Sequence, residues 1–442
     1  NMSRHIQIET TLSVTGSNAD MRIKLRASEQ STAVAALYNK IAAMAGGASV
    51  SAPASSADKK LAAVAEELWK AKGKSLVVSG SNDPNEQVLV NGINNMLGSY
   101  GSTMNLDQPN QMKQSNDESV ATLISELNNG EVGAVIIYNT NPGYSMPALN
   151  AAIAKAGVRI SLADREDETA ANCDYICPDS HWLESWSDAE PVKGVFSLGQ
   201  PTINPLFNTR QAQSSLLTWA GANADYHLYI QEYFRSSVYS LQTAMSSFDA
   251  FWNKTLQDGV FEAGGTAAST VSFTGNAQDA ASKLQKPTSG VEVVLYQKTG
   301  LGDGSQGNNP WLHELPDPVS KVCWDNYFAV LPDYAAKMGY KQGTVIEVKM
   351  GNVSVKGPVL LQPGTADETL AIAIGYGRTA VGKAGNNVGA NVYPFIAMMN
   401  GGMKYYATGV SVNKTADEDY PLASTQTHHT MMGREIVKET TL

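Results

Sequence analysis

The chain has 442 residues, of which 17% are charged and 8% aromatic, with 38 glycines and 18 prolines. This length accommodates two or three domains, and the composition excludes a disordered chain or a coiled coil. The net charge of -10 argues against nucleic acid or anionic lipid as the main partner. No apolar run is long enough to predict a direct membrane span.

The first 58 residues read as a strand, a basic loop, a helix and a linker. The strand is IQIE at 6–9, and the helix covers 31–45 with Ser31 or Thr32 as its cap. Small residues follow up to Asp58. We interpret residues 1–58 as the tail of an upstream α/β lobe plus a linker, and expect the chain to be an internal piece of a longer polypeptide.

Residues 59–260 alternate short apolar strands with helices, which predicts a parallel sheet covered on both faces. The predicted strands are SLVVSG, VGAVIIY and VRISL. Ligands of such sheets bind at the carboxyl ends of the strands. This places Ser79–Pro84, Asn139–Pro147 and Ala163–Thr169 on one functional edge. Residues 173–208 read as irregular, and two helices follow them.

The chain contains three cysteines, Cys173, Cys177 and Cys323. A four-cysteine iron–sulfur site is therefore impossible within it. We expect buried structural cysteines. A zinc site and a disulfide between Cys173 and Cys177 are the alternatives.

The C-terminal part differs in pattern from the α/β region. Residues 261–290 are polar and rich in small side chains, which predicts a peripheral segment. Residues 291–442 alternate strands with turns, as in VEVVLYQ, GTVIEVKMG and TLAIAIGYG. This pattern predicts an all-β module, a C-terminal β-barrel, that leads into a further module.

No Walker loop, G-x-G-x-x-G fingerprint or H-E-x-x-H motif is present in the sequence. Asn139 and Asn141 directly follow a predicted strand. Their amides could bind a nucleotide or a pterin, or could cap the loop.

Several phrases occur in the order found in one family. IETTLSVTGSNAD and LRASEQ carry Thr15, Gly16, Ala19, Asp20 and Arg26, with Thr10, Thr11 and Gln30 as departures. NTNP, EDETAANCDYICP and GYGR follow, with Asn391 further on. The chain resembles the molybdopterin oxidoreductase family, and within it the molybdopterin-like domain of the B subunit of alternative complex III, a bacterial quinol-oxidising respiratory complex.

The resemblance implies an α/β fold with parallel-sheet molybdopterin-oxidoreductase-like domains followed by a C-terminal β-barrel. It implies a non-catalytic scaffold that binds no cofactor or metal and braces an iron–sulfur module in the same polypeptide. Iron–sulfur clusters and haems are expected in neighbouring domains or subunits. The expected partners are a multihaem cytochrome and integral membrane quinol-binding subunits, on the periplasmic face of the cytoplasmic membrane. Trp182, Trp186 and Trp311 would then be interface or packing residues.

The alternative implied by the same resemblance is an active molybdenum or tungsten bis-pterin oxidoreductase, acting on a small oxyanion, a sulfur compound or formate. The residues that would then touch the pterin dinucleotides are Asn141, Glu168, Arg378 and Asn391. A further alternative is an unrelated α/β protein with a β module.

Overall fold

The computed structural model describes residues 2–264, 271–427, 433–435, 437–438 and 440–441. In chain order, helices α1 to α13 are Val14–Ser17, Gln30–Ala45, Asp58–Lys70, Pro84–Met96, Asp117–Asn128, Pro142–Ser145, Pro147–Ile153, Ala212–Trp219, Tyr226–Tyr233, Phe248–Asp258, Ala277–Lys283, Pro310–Glu314 and Pro332–Met338. Within the described residues, no helix combines the length and the apolar character needed to cross a bilayer.

Strands β1 to β17 are Ile6–Glu9, Met21–Lys24, Ala134–Ile137, Val158–Ser161, Tyr175–Ile176, Ser187–Val192, Val195–Gly199, Val260–Glu262, Glu292–Tyr296, Phe328–Val330, Val345–Met350, Val353–Leu361, Thr369–Ala373, Ala397–Met399, Gly402–Lys404, Tyr406–Ala407 and Ser411–Lys414. They form several small sheets and one large sheet. The predicted α/β class with parallel strands is confirmed.

The first structural unit packs α2, α3 and α4 around a parallel pair of strands, β1 and β2. Leu61 and Val64 of α3 recur at helical spacing and are buried against Ile93 of α4. Gly92 lies in the middle of α4 because a Cβ there would sit 2.9 Å from the ring of Tyr38 on α2. The three helices and both strands therefore share one core, in which Ile23 of β2 is buried.

The predicted cap of α2 is wrong. The helix begins at Gln30, after a 3-10 turn at Ala27–Glu29, and Glu29 occupies the cap position. The hydroxyl of Ser31 instead donates to the buried carboxylate of Glu86, at 2.8 Å.

The predicted strand at 75–80 is also wrong, since no strand is formed there. Side chains take the backbone groups that a sheet would have paired. The Asn94 amide donates to the Val77 carbonyl and accepts from its N–H, at 2.7 and 2.9 Å. Ser99 and Thr103 donate to the Ser75 carbonyl, both at 2.9 Å.

The second unit contains a three-stranded parallel sheet in the order β3-β4-β5. Helices α5 and α7 contribute Leu127, Ala152 and Ile153 to a core with Ile137 of β3. The sheet's other face is less covered, and Ile136 remains 46% exposed. Helices therefore cover one face of these strands, whereas the sequence predicted cover on both faces.

The segment predicted to be irregular contains an antiparallel hairpin. Strands β6 and β7 pair with each other, and β8 pairs with β7. Aromatic side chains of this small sheet, of the π-helical turn Phe234–Val238 after α9 and of α10 pack into one core, which includes Phe196, Phe234, Phe251 and Trp252. Gly, Pro and polar residues in the sequence obscured the hairpin, because its strands lack a simple alternating pattern.

The C-terminal unit is built on a seven-stranded mixed sheet in the order β16-β9-β13-β10-β12-β11-β17. The predicted barrel is not confirmed, because β16 and β17 lie at opposite edges of the sheet and do not pair among the described strands. Parallel pairing of β9 with β13 and of β10 with β12 interrupts the antiparallel order. The result is a curled, open sheet with Phe328, Ile346 and Ile372 in its core.

Candidate functional site

Two neighbouring parallel strands place two loops side by side. The chain leaves β3 into Asn139–Pro147 and leaves β4 into Ala163–Thr169. The Gly143 N–H donates to the Thr169 hydroxyl at 2.8 Å. A Cβ on Gly143 would lie 2.6 Å from the Glu168 carbonyl oxygen, so glycine permits this close approach. The predicted shared edge therefore forms from these two loops.

The third predicted loop, Ser79–Pro84, goes elsewhere. Its residues line a separate cavity of about 540 Å³ between the first unit and the β14–β15 hairpin. The reason is that 75–80 does not join the parallel sheet, so nothing aligns its end with the ends of β3 and β4.

Arg378 of the C-terminal unit reaches across to Glu168. Its Nε and Nη2 donate to the two carboxylate oxygens at 2.9 and 2.7 Å, and its Nη1 donates to the Gly304 carbonyl at 2.7 Å. The side chains of Arg378 and Glu168 are only 6% and 10% exposed. This bidentate geometry is the strong form of an ion pair.

The Glu168 carboxylate accepts from three further donors. Asn141 donates its side-chain amide at 2.7 Å, and the N–H groups of Thr379 and Ala380 donate at 2.8 and 3.1 Å. Burial alone would raise the pKa of Glu168, but the hydrogen bonds from Arg378, Asn141 and the two backbone groups outweigh it and hold the pKa well below its usual range. An arginine, an amide and two N–H groups thus form an anion site that an internal carboxylate fills.

Asn391 joins this group through Tyr144. Its amide donates to the Tyr144 carbonyl at 3.1 Å, and its side-chain oxygen accepts from the Tyr393 N–H at 3.0 Å. The Tyr144 and Tyr393 rings meet edge to face at 5.0 Å, and the Arg378 guanidinium lies 4.8 Å from the Tyr144 ring centre. The structure therefore brings all four predicted site residues together.

Sequence reasoning missed the two tyrosines and the backbone donors of the loop after Arg378. Tyr144 follows the recognised NTNP phrase by two residues, in NPGYSMP. This proximity was the one signal in the sequence that could have identified Tyr144 as part of the site. No local pattern distinguishes the N–H groups of Thr379 and Ala380 from others in a loop.

A cleft of about 1010 Å³ opens beside this cluster. Asn141 and Arg378 lie on its wall, whereas Glu168 and Asn391 lie outside its lining. The charged residues of the described lining are four aspartates and two arginines, namely Asp164, Asp167, Asp179, Asp303, Arg165 and Arg378. Both arginines are already paired, Arg165 with Asp164 and Arg378 with Glu168.

These residues do not fit a pterin dinucleotide. The pyrophosphate of such a cofactor needs backbone N–H groups and Arg or Lys contacts. Here no lysine lines the described cleft, its two arginines are engaged by carboxylates, and its other charges are negative. The donors of Thr379 and Ala380 are directed at Glu168.

Gln30, one of the departures from the family's motif, is also engaged. Its amide donates to the Glu86 carboxylate at 2.9 Å and to the Ser79 hydroxyl at 3.2 Å. Glu86 is 1% exposed, so this network is internal to the first unit.

The three cysteines are free and half-buried, so the expectation of full burial is only partly met. The thiols of Cys173 and Cys323 donate to carbonyl groups at 3.4 and 3.2 Å. Burial raises the pKa of the Cys173 thiol. Among the described residues, no group of three His, Cys, Asp or Glu side chains is arranged to hold a metal ion.

Comparisons with known proteins place this geometry in context. No family model matches the chain. A curated relative is the menaquinone reductase, molybdopterin-binding-like subunit, of Nitratidesulfovibrio vulgaris Hildenborough, which is 25% identical over 273 residues. The match covers 60% of this chain and 38% of that subunit, so it spans well under half of the relative's length.

Among solved structures, acetylene hydratase from Pelobacter acetylenicus matches with a TM-score of 0.59. The match covers 93% of this chain and 74% of the hydratase, at 11% identity, and therefore concerns the fold. The ordered motifs, the sequence similarity to this subunit and the shared fold together support a molybdopterin oxidoreductase-like family for the chain.

Proposed function

We propose that this chain is a cofactor-free, non-catalytic molybdopterin-like scaffold in a quinone-linked respiratory complex. In this role it braces an adjacent iron–sulfur electron-transfer module, and the electrons pass through neighbouring clusters and haems. In this proposal, none of the described side chains touches a reacting atom.

The observation that carries the proposal is the filled anion site. Glu168 accepts from Arg378, Asn141 and the N–H groups of Thr379 and Ala380. These are the donor types that a dinucleotide phosphate would need. A phosphate would have to displace a buried carboxylate from its arginine, and removing one partner of a buried pair costs about 3–5 kcal/mol.

The respiratory role is supported by the relative named as a menaquinone reductase subunit, and by the resemblance of the sequence motifs to the B subunit of alternative complex III. We propose the same kind of surroundings here, with an iron–sulfur module, a multihaem cytochrome and integral membrane quinol-binding subunits. We place the assembly on the periplasmic face of the cytoplasmic membrane.

The second candidate is an active molybdenum or tungsten oxidoreductase of a small oxyanion, a sulfur compound or formate. The observation that favours it is the cleft itself, whose volume of about 1010 Å³ lies at the upper limit of small-molecule sites. Asn141 and Arg378 on its wall are the residues that would face the cofactor.

The test is elemental analysis of the purified native complex for molybdenum, tungsten and iron, with acid release of fluorescent pterin from the same sample. We expect iron without molybdenum, tungsten or pterin. Molybdenum or tungsten at near one atom per chain, together with pterin, would overturn the scaffold proposal and establish the second candidate.

A further inference from the structure

We propose that the cleft beside Glu168 and Arg378 docks a basic segment of another subunit, through Arg or Lys side chains. This inference rests on the proposed function, because it requires that no anionic dinucleotide occupies the cleft. The inference starts from the charge of the cleft. A lining whose unpaired charges are negative repels an anionic dinucleotide and attracts a cationic side chain.

Three of the cleft's carboxylates form no close ion pair within the part of the chain that the structure describes. Asp167, Asp179 and Asp303 form no ion pair with a Lys or Arg of the described residues, unlike Asp164, which pairs with Arg165. Each uses its Oδ1 to accept backbone N–H groups, for example those of Thr169, Ser180 and Ser305. No donor of the described residues bonds the Oδ2 atom of any of the three, which leaves it available to a guanidinium or an ammonium group.

A second feature is an unpartnered hydroxyl in the same lining. Ser185 is 8% exposed and lines the cleft, and its Oγ has no hydrogen-bond partner among the described residues. A buried polar atom of this kind costs about 1–3 kcal/mol unless a ligand satisfies it. An N–H donor carried into the cleft would do so.

Aromatic rings make up much of the remaining wall, including Tyr138, Trp182 and Trp186. The Trp186 ring is held in place by stacking on His227 at 3.9 Å between ring centres. Trp182 is 71% exposed at the cleft's edge. Carboxylates combined with aromatic faces bind Arg well, because a guanidinium makes bidentate bonds and stacks on rings.

The occupant is therefore a protein segment and not a free metal ion. The described residues provide no three-ligand metal group, and the cleft is large enough for several side chains. Trp and Tyr side chains surrounded by polar groups are also typical of strong protein–protein contacts.

The first experiment compares the native complex carrying D167N/D179N with the wild type and with D225N/D367N. All four aspartates accept backbone N–H groups through Oδ1, which asparagine retains, and both double variants remove two charges. Asp225 and Asp367 do not line the cleft. Subunit composition is followed by native mass spectrometry as NaCl is raised.

We expect D167N/D179N to release one subunit at about half the NaCl concentration that the wild type needs, and D225N/D367N to follow the wild type. Coinciding curves for all three proteins would overturn the inference, as would an equal shift in both double variants.

A second measurement uses the wild-type complex and does not depend on a variant folding. Carbodiimide with glycine ethyl ester labels accessible carboxylates, and peptide mass spectrometry locates the labels. High salt should raise labelling of Asp167 and Asp179 severalfold and leave Asp225 and Asp367 unchanged. Unchanged labelling of Asp167 and Asp179 would contradict docking.

The two proposals fail separately. Pterin and molybdenum in the native complex would remove the scaffold proposal and this inference with it. A pterin-free complex with salt-independent labelling would remove this inference alone.

Discussion

Arg378 holds Glu168 with two parallel hydrogen bonds of 2.9 and 2.7 Å, although the two residues are 210 positions apart in the chain. The pair joins the three-stranded parallel sheet to the C-terminal sheet at the wall of the cleft. Because both side chains are almost fully buried, the pair ties the two units together instead of acting as a surface contact.

Breaking this pair should destabilise the protein strongly. Removing one partner of a buried ion pair costs about 3–5 kcal/mol, so E168Q and R378Q should each lower the free energy of unfolding by that order. Urea unfolding followed by tryptophan fluorescence measures the change. The matched control is E67Q, which breaks the exposed pair of Arg4 with Glu67 and should leave the free energy of unfolding almost unchanged, because solvent screens a surface pair. Equal effects of E168Q and E67Q would contradict the assigned role.

The same pair should make the protein sensitive to acid. The folded-state pKa of Glu168 is depressed, so its contribution to stability is fully present above the unfolded pKa of about 4.3 and is lost as pH falls below it. Thermal unfolding of wild type and E168Q between pH 7 and pH 3 should therefore show melting temperatures that converge on acidification. A constant difference down to pH 3 would argue against this linkage.

Lys298 should destabilise the protein at neutral pH. It is 6% exposed, and burial lowers its pKa to about 8, against the opposing effect of Asp317 and Asp325. The unfolded chain holds this proton up to about pH 10.4, so stability attributable to Lys298 should rise as pH rises from 8 to 10.4.

The variant K298M removes the buried charge but keeps a similar volume. We expect K298M to be at least as stable as the wild type at pH 7. Unlike the wild type, it should show no rise in stability between pH 8 and about pH 10.4. Thermal melting curves of both proteins measure this difference. A large loss of stability at pH 7 would mean that the bond from Lys298 to the Asp325 carbonyl, at 2.9 Å, outweighs the cost of burial.

Gly375 should tolerate no side chain. Its φ is +95°, and a Cβ there would lie 2.7 Å from the Gly302 carbonyl oxygen, where two loops next to Arg378 cross. Gly221 has a φ of +71° and open space around the Cβ position. The variant G221A should cost about 1 kcal/mol from the backbone alone, and G375A at least twice as much because of the clash. Similar melting temperatures for the two variants would contradict the close crossing.

Local sequence patterns predicted those helices and strands whose own residues show the periodicity of the element. The strand at Ile6–Glu9, the helix Gln30–Ala45 and the strands before Asn139 and Ala163 were all recognisable. Their apolar residues recur with the period of the element, and glycines mark helix ends such as Gly46 and Gly130, both with positive φ. The family motifs likewise pointed to Asn141, Glu168, Arg378 and Asn391 without a structure.

Tertiary structure decided what depends on partners far along the chain. Whether 75–80 becomes a strand depends on Asn94, whose amide takes the backbone groups of Val77. Whether the C-terminal strands close into a barrel depends on pairing between edge strands, which no local pattern encodes. Which carboxylates of the cleft are neutralised depends on which arginine lies beside each of them, because Coulomb energies are set by distance in space. The sequence thus determined the type of those elements with a strong local pattern and the resemblance to a family, and the fold decided that Glu168 fills its own anion site.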